Sequence, residues 1–277
     1  MSSSLKAVRF RERYGPWAVV TGASDGIGRD FAHRLAEAGV HLVLVARRAG
    51  LLETLAAELS RSHGVSTRIL PMDLSQPGAA EALSSGTSDL DVGLVVAAAG
   101  FGTSGPFLAA DMARELDMVQ LNCAVVTELA HRFGRRIAGR GRGGLVLMSS
   151  LLAFQGVPRA ATYAATKAYV QTLAEALHVE LAPAGVDVVA CAPGPVKSGF
   201  EGRAGMQMGI GLPASAVGRA TLAALGKRTT VRPGWLSKAL ELALASLLTR
   251  WARVRMMARV MRGMTAHQDM GSSPVSG

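Results

Sequence analysis

Trp17-Ala18-Val19-Val20-Thr21-Gly22-Ala23-Ser24-Asp25-Gly26-Ile27-Gly28 is the stretch whose reading decides the fold. Its apolar start reads as a buried strand and its three glycines as a tight turn. Beyond it, Phe31, Leu35 and Ala38 mark an amphipathic helix that stops at Gly39. Strand, glycine turn and helix in this order make an anion site. The glycines let the backbone approach a pyrophosphate, and the unpaired N–H groups and dipole of the helix N-terminus favour its charge. Gly22, Ser24, Asp25, Gly26, Ile27 and Gly28 are therefore candidate dinucleotide-binding residues.

The alternation continues outward. Apolar strand runs are expected at 40–45, 67–70, 91–98, 145–148 and 187–190, with helical segments at 51–59, 111–140 and 163–181 between them. This order predicts the α/β class, a doubly wound, Rossmann-type parallel sheet in one domain over 15–198 with a C-terminal helical extension. The second strand ends in Ala46-Arg47-Arg48. A carboxylate there would bind the ribose hydroxyls of NAD, whereas a small residue followed by arginines leaves room and charge for a 2′-phosphate, so Arg47 points to NADP(H) over NAD(H). Asp73 of Asp73-Leu74 has two readings: it accepts a bond from an adenine amino group, or it caps the turn Ser75-Gln76-Pro77-Gly78. Ala99-Gly100 ends the fourth strand in small residues that let a cofactor lie close to the backbone.

The second decisive stretch runs from Ser150 to Lys167. Tyr163 and Lys167, four apart, emerge from one face of a helix, which sets a phenol beside an ammonium. A nearby cation favours the phenolate, so the Tyr163 proton is expected to come within reach of neutral pH. Ser150 stands at the carboxyl end of a strand, where open α/β sheets keep their ligand crevice, and its hydroxyl can hold a carbonyl oxygen for the tyrosine. Pro193-Gly194-Pro195-Val196-Lys197-Ser198 is expected to fix a turn at the same crevice. Asn122, in mid-helix, reads from its position alone as a structural residue.

Composition bounds the rest. Hydrophobic residues make up 49% of 277, ample for one large core. Cys123 and Cys191 stand apart in apolar segments and no metal-ligand spacing appears, so neither a disulfide framework nor a metal site is expected. The net charge of +10 would suit nucleic acid, but aromatic residues are 5% and no nucleic-acid-binding motif is present, so none is expected as a partner. Residues 1–14 read as a basic arm without the apolar core of a secretory signal, which suggests a cytoplasmic setting. Residues 199–234 read as a Gly- and Met-rich substrate flap and its connection, and 263–277 as a disordered tail. Residues 235–262 read as one basic amphipathic helix with an apolar stripe from Leu236 to Met261, too short and too interrupted to span a membrane. Two fates are open to it: peripheral contact with an anionic membrane surface, or packing on the flap or a second subunit.

Taken together, Thr21 to Gly28, Asp73-Leu74, Asn122, Ser150, Tyr163-Ala164-Ala165-Thr166-Lys167 and Pro193 to Ser198 resemble the motifs of the short-chain dehydrogenase/reductase family over roughly residues 15–200. The resemblance implies a catalytic tetrad of Asn122, Ser150, Tyr163 and Lys167. Tyr163 would be the acid in reduction, and Ser150 would orient the substrate oxygen. Lys167 would lower the tyrosine pKa and hold the nicotinamide ribose, and Asn122 would position a relay water through its backbone. It also implies cofactor contacts by Ala99, Gly100, Pro193, Gly194, Val196 and Ser198, an apolar carbonyl or alcohol substrate, and a homo-oligomer. A departure is visible in Ala97-Ala98-Ala99-Gly100, where the family usually shows Asn-Asn-Ala-Gly, so bracing amides are missing. The expected function is an NADPH-dependent ketone or aldehyde reductase; the alternative is an idle nucleotide-binding scaffold that keeps the fold.

Overall fold

The computed structural model describes residues 3–207, 211–234 and 249–269. Helix α1 spans Ser3–Tyr14, followed by β1 (Trp17–Thr21), α2 (Gly26–Glu37), β2 (His41–Ala46), α3 (Ala49–His63), β3 (Thr67–Pro71), α4 (Ala79–Ser85) and β4 (Val92–Ala97). Then come α5 (Met112–Val119), a π-helical turn (Gln120–Ala124), α6 (Val125–Arg140), β5 (Gly143–Met148), α7 (Ala161–Glu180) and β6 (Val186–Cys191). The described chain ends with β7 (Val196–Lys197), α8 (Phe200–Ala204), β8 (Leu212–Pro213), α9 (Ala214–Ala224), β9 (Thr230–Val231), α10 (Arg250–Met264) and α11 (Ala266–Asp269).

Seven strands form one parallel sheet in the order β3-β2-β1-β4-β5-β6-β9. The strands are buried on both faces because their residues alternate between two cores. Ala18, Val20, Leu42 and Leu44 pack against Phe31, Leu35 and Leu52 on one side. Val19, Val43 and Val45 pack with Leu129, Phe133 and Val170 on the other. Chain order reverses between β1 and β4, which places the ligand crevice at the carboxyl ends of those strands.

Four expectations are revised. The basic arm read at 1–14 is helical from Ser3, and its end docks on the domain: Tyr14 is 5% exposed and its hydroxyl donates to Asp187 Oδ2 at 2.7 Å beside Arg13 Nε at 2.6 Å. The sheet does not end with the sixth strand, because β9 pairs with β6 beyond residue 198. Residues 263–269 are ordered into the end of α10, a turn at Thr265 and α11, not a disordered tail. The segment 235–262 is not one helix, since Thr249 (φ −59°, ψ 156°) is extended and its side chain accepts the Ala252 N–H at 3.3 Å, capping a helix that starts at Arg250. Its first part, 235–248, lies outside the described residues, as do 270–277.

In the loop after β4 the backbone is braced from β1. Thr21, fully buried, accepts the Ala99 N–H at 3.0 Å and points its hydroxyl at the Val96 carbonyl, 3.4 Å away. Thr21→Val keeps the shape and deletes both contacts. It is expected to lower stability by about 1–2 kcal/mol, read as a lower melting temperature, because the half-buried Ala99 N–H loses its acceptor.

Candidate active site

The glycine turn is built to admit a ligand against the backbone. Gly22 has φ +66°, and a side chain on Gly28 would run into the Gly22 carbonyl, so strand and helix can approach only with glycine at that place. Asp25 stands at the N-cap of α2 without a side-chain cap bond, which leaves the first N–H groups of the helix facing the crevice. Next to it, Arg48 Nη2 donates to Ser24 Oγ at 3.1 Å, while Arg47 Nη1 lies 3.8 Å from Asp73 Oδ2. Asp73 accepts from the Ser75 N–H at 3.0 Å and the Ser75 hydroxyl at 2.7 Å, so its turn-capping reading holds in this geometry. Arg203 of α8 reaches across to Asp25, Nη1 to Oδ2 3.0 Å, tying α8 to the glycine turn.

On the far wall, Ser150 follows β5 and starts a 3-10 turn (Leu151–Phe154), accepting the Leu152 N–H at 3.2 Å. Helix α7 presents Tyr163 and Lys167 from one face, each 7% exposed. Its alanines on that side let the helix lie close to the sheet. The Tyr163 ring is held by Phe200, with centroids 5.5 Å apart, and by Gly102, where a Cβ would come within 3.1 Å of the ring.

The pair does not behave as its spacing suggests. Burial pushes the Tyr163 phenol up to about 12, with the Ser150 hydrogen bond pulling the other way. Lys167 is pushed down by burial to about 8. Its ammonium turns to the Met148 carbonyl, 3.0 Å away, and lies 5.7 Å from the centroid of the tyrosine ring. The expected approach of Tyr163 to neutral pH is therefore corrected: burial raises the phenol, while the Lys167 ammonium turns away to the Met148 carbonyl.

Asn122 sits in the π-helical turn, 1% exposed. Its Nδ2 donates to the Phe101 carbonyl at 2.9 Å and to Thr166 Oγ1 at 3.1 Å, and its Oδ1 accepts the Phe101 N–H at 3.2 Å. Gly100 is required here, because a Cβ would come within 2.8 Å of Asn122 Oδ1. π turns are rare and cluster at functional sites.

Glycine turn and far wall enclose one cleft of about 1050 Å³. Gly22, Ser24, Asp25, Gly26, Ile27, Gly28, Arg47, Asp73, Leu74, Ala99 and Gly100 line it from the first half, and Ser150, Tyr163, Lys167, Pro193, Gly194, Val196 and Ser198 from the second. Asn122 alone among the sequence-derived candidates stands behind the wall. Sequence reasoning did not single out Gly102 or the roof of the cleft formed by α10.

The sequence matches the short chain dehydrogenase family over residues 16–208. The chain belongs to that family. This short-chain dehydrogenase is 37% identical over 187 residues to a 7beta-hydroxysteroid dehydrogenase of Clostridium sardiniense, covering 68% of this chain and 72% of that one. It is 38% identical over 179 residues to a very-long-chain 3-oxoacyl-CoA reductase of Podospora anserina, covering 63% of this chain and about half (53%) of the relative. A solved structure from work on 7beta-hydroxysteroid dehydrogenase stereoselectivity superposes with a TM-score of 0.82 at 28% identity, over 90% of this chain and 98% of that one. A short-chain dehydrogenase from Sphingobium yanoikuyae in complex with NADPH superposes with a TM-score of 0.74 at 28% identity, over 95% and 98%. The protein is an oxidoreductase acting on CH–OH groups and their carbonyl counterparts. Among the described residues, no helix is long and apolar enough to cross a membrane.

Proposed function

We propose that this short-chain dehydrogenase uses NADP(H) to interconvert an apolar ketone and its alcohol. The carrying observation is a buried Tyr163, hydrogen-bonded to Ser150, facing a cleft that has a glycine-turn anion site at one end and an apolar wall at the other. When bound, the nicotinamide cofactor supplies the hydride for reduction or accepts it in oxidation. The N–H groups at the start of α2 would hold its pyrophosphate, and Ala99 and Gly100 would let it pass close to the sheet. Tyr163 gives its phenolic proton to the carbonyl oxygen, and Ser150 holds that oxygen by a hydrogen bond. Lys167, braced on Met148, would hold the ribose. Asn122 positions the Gly100-Phe101 wall, and Ser198 and the Pro193-Gly194 turn would close the carboxamide side. Residues 199–207 act as the described part of the flap, and the described part of the C-terminal helix covers substrate. The relatives' steroid and 3-oxoacyl substrates support an apolar carbonyl of either kind. Exposed Leu116 and Val119 on α5 and Val179 on α7 support self-association.

The NADP(H) preference rests on Arg47 and Arg48 with no carboxylate at the end of β2. A 2′-phosphate would gain a charge-assisted contact from each, and losing one is expected to weaken NADPH binding by about ten- to a hundredfold. Titration of wild type and Arg48→Ala with NADPH and NADH reads this directly. Equal affinity of the wild type for the two cofactors would overturn it. Oxidation of NADPH in the presence of steroid ketones, 3-oxoacyl thioesters and aromatic ketones tests the reaction itself.

A further inference from the structure

The cleft has a charged end that the proton chemistry does not use. Helix α10 faces it with Arg253, Met256, Met257, Val260, Met261 and Met264, positions that recur every three or four residues and so form one stripe. Met261 packs in the same apolar cluster as Tyr163, Met118 and Met206. Thioether side chains make a polarizable wall that adapts to a bulky apolar body. Arg253 begins the stripe, eight residues before Met261. At 1.5 Å per residue that is about 12 Å further along the helix axis.

At this end Val254 lies against Gly156, where a Cβ would be 3.4 Å from Val254 Cγ2. Nearby, the Arg232 guanidinium stacks over Phe154, 4.1 Å from the ring centroid. Both arginines line the cleft. Arg253 Nε is buried and has no hydrogen-bond partner among the described residues. The carboxylates of the cleft are engaged or placed elsewhere: Asp25 pairs with Arg203, Asp73 with Arg47, and Asp117 is exposed on α5. A guanidinium with a buried, unanswered N–H at the end of an apolar chamber is suited to an oxyanion brought by the ligand.

We propose that Arg253, with Arg232 on the wall of the same cleft, forms a subsite for an oxyanion at the far end of an apolar carbonyl substrate, about two turns of α10 from the Met261 that packs with Tyr163. The substrate is then amphipathic, with an apolar body under the methionine roof and a carboxylate or phosphate at its end. This deepens the ketone-reductase reading and rests on it.

The test compares matched pairs. One pair is a 7-keto steroid with a side-chain carboxylate and its methyl ester. The other is the coenzyme A thioester and the N-acetylcysteamine thioester of one 3-oxo acid, which differ in carrier phosphates. The wild type is expected to favour the charged member of one pair by about tenfold or more in kcat/KM, mainly through KM. Which pair shows the preference identifies the oxyanion as carboxylate or phosphate. In Arg253→Gln the ratio is expected to fall near one, Arg253→Lys to keep part of it, and Arg253→Glu to invert it. No preference in the wild type for either pair, or a ratio that Arg253→Gln leaves unchanged while both members slow together, overturns the subsite. Calorimetric titration of wild type and Arg253→Gln with the steroid acid and with the coenzyme A thioester separates the two readings. Tighter binding of either to the wild type without turnover of any ketone upholds the subsite and overturns the reductase; turnover with equal binding of both does the reverse.

Discussion

Tyr163→Phe is expected to lower kcat for ketone reduction by at least a hundredfold while NADPH binding stays within about twofold, because a positioned acid contributes 10²–10⁴ and only the proton donor is deleted. The phenyl ring keeps its contact with Phe200 and its place over Gly102, so the wall of the cleft is preserved. Stopped-flow turnover and a cofactor titration on one preparation separate the two effects. A variant retaining more than a tenth of wild-type kcat would exclude Tyr163 as the acid. The pH dependence has a definite sign. With the phenol pushed up to about 12 by burial, it remains protonated across the neutral range, so reduction is expected to hold its rate there and fall only in strong alkali. Alcohol oxidation needs the phenolate as base, so its rate is expected to climb with pH over the same interval.

The glycine turn and the strand alternation were legible because both are local. A buried parallel strand must be apolar along its length, and the turn from Gly22 to Gly28 cannot be made with side chains in place. The seventh strand was missed because it is two residues long and owes its existence to pairing with β6. Helix α1 reads as a charged arm until Tyr14 finds Asp187, 173 residues away, which no period can show. At the site, a four-residue spacing correctly put Tyr163 and Lys167 on one face of α7. It could not say where the long lysine side chain would turn, and that rotamer choice, toward Met148, removes the expected pull on the phenol. Asn122 looked structural because an α-helix and a π turn share composition. Thr249 ended a helix that the apolar stripe would have carried through, since capping is decided by backbone angles and not by the stripe.

Lys167→Met is expected to abolish most turnover and yet leave the folded protein no less stable at neutral pH. The wild-type ammonium is buried, 7% exposed, and burial lowers it to about 8 from 10.5. That difference corresponds to about 3 kcal/mol of folding free energy lost while the group is charged in both states. Met removes the charge at similar length. It also strands the Met148 carbonyl that Lys167 bonds at 3.0 Å, which offsets about 1–2 kcal/mol. A net gain of about 1 kcal/mol near pH 7 remains. Its sign with pH follows from proton counts. Between about 8 and 10.5 the unfolded chain still holds the lysine proton that the folded protein has released, so wild-type stability rises through that window. The advantage of the Met variant is therefore expected to shrink from pH 8 upward and to reverse before pH 10.5. Thermal melts of both proteins at pH 7, 9 and 10 read this, beside turnover at pH 7. A variant that melts well below wild type at pH 7, with the gap unchanged at pH 10, would show that Lys167 supports the fold, and would remove the argument that its buried charge is kept for catalysis.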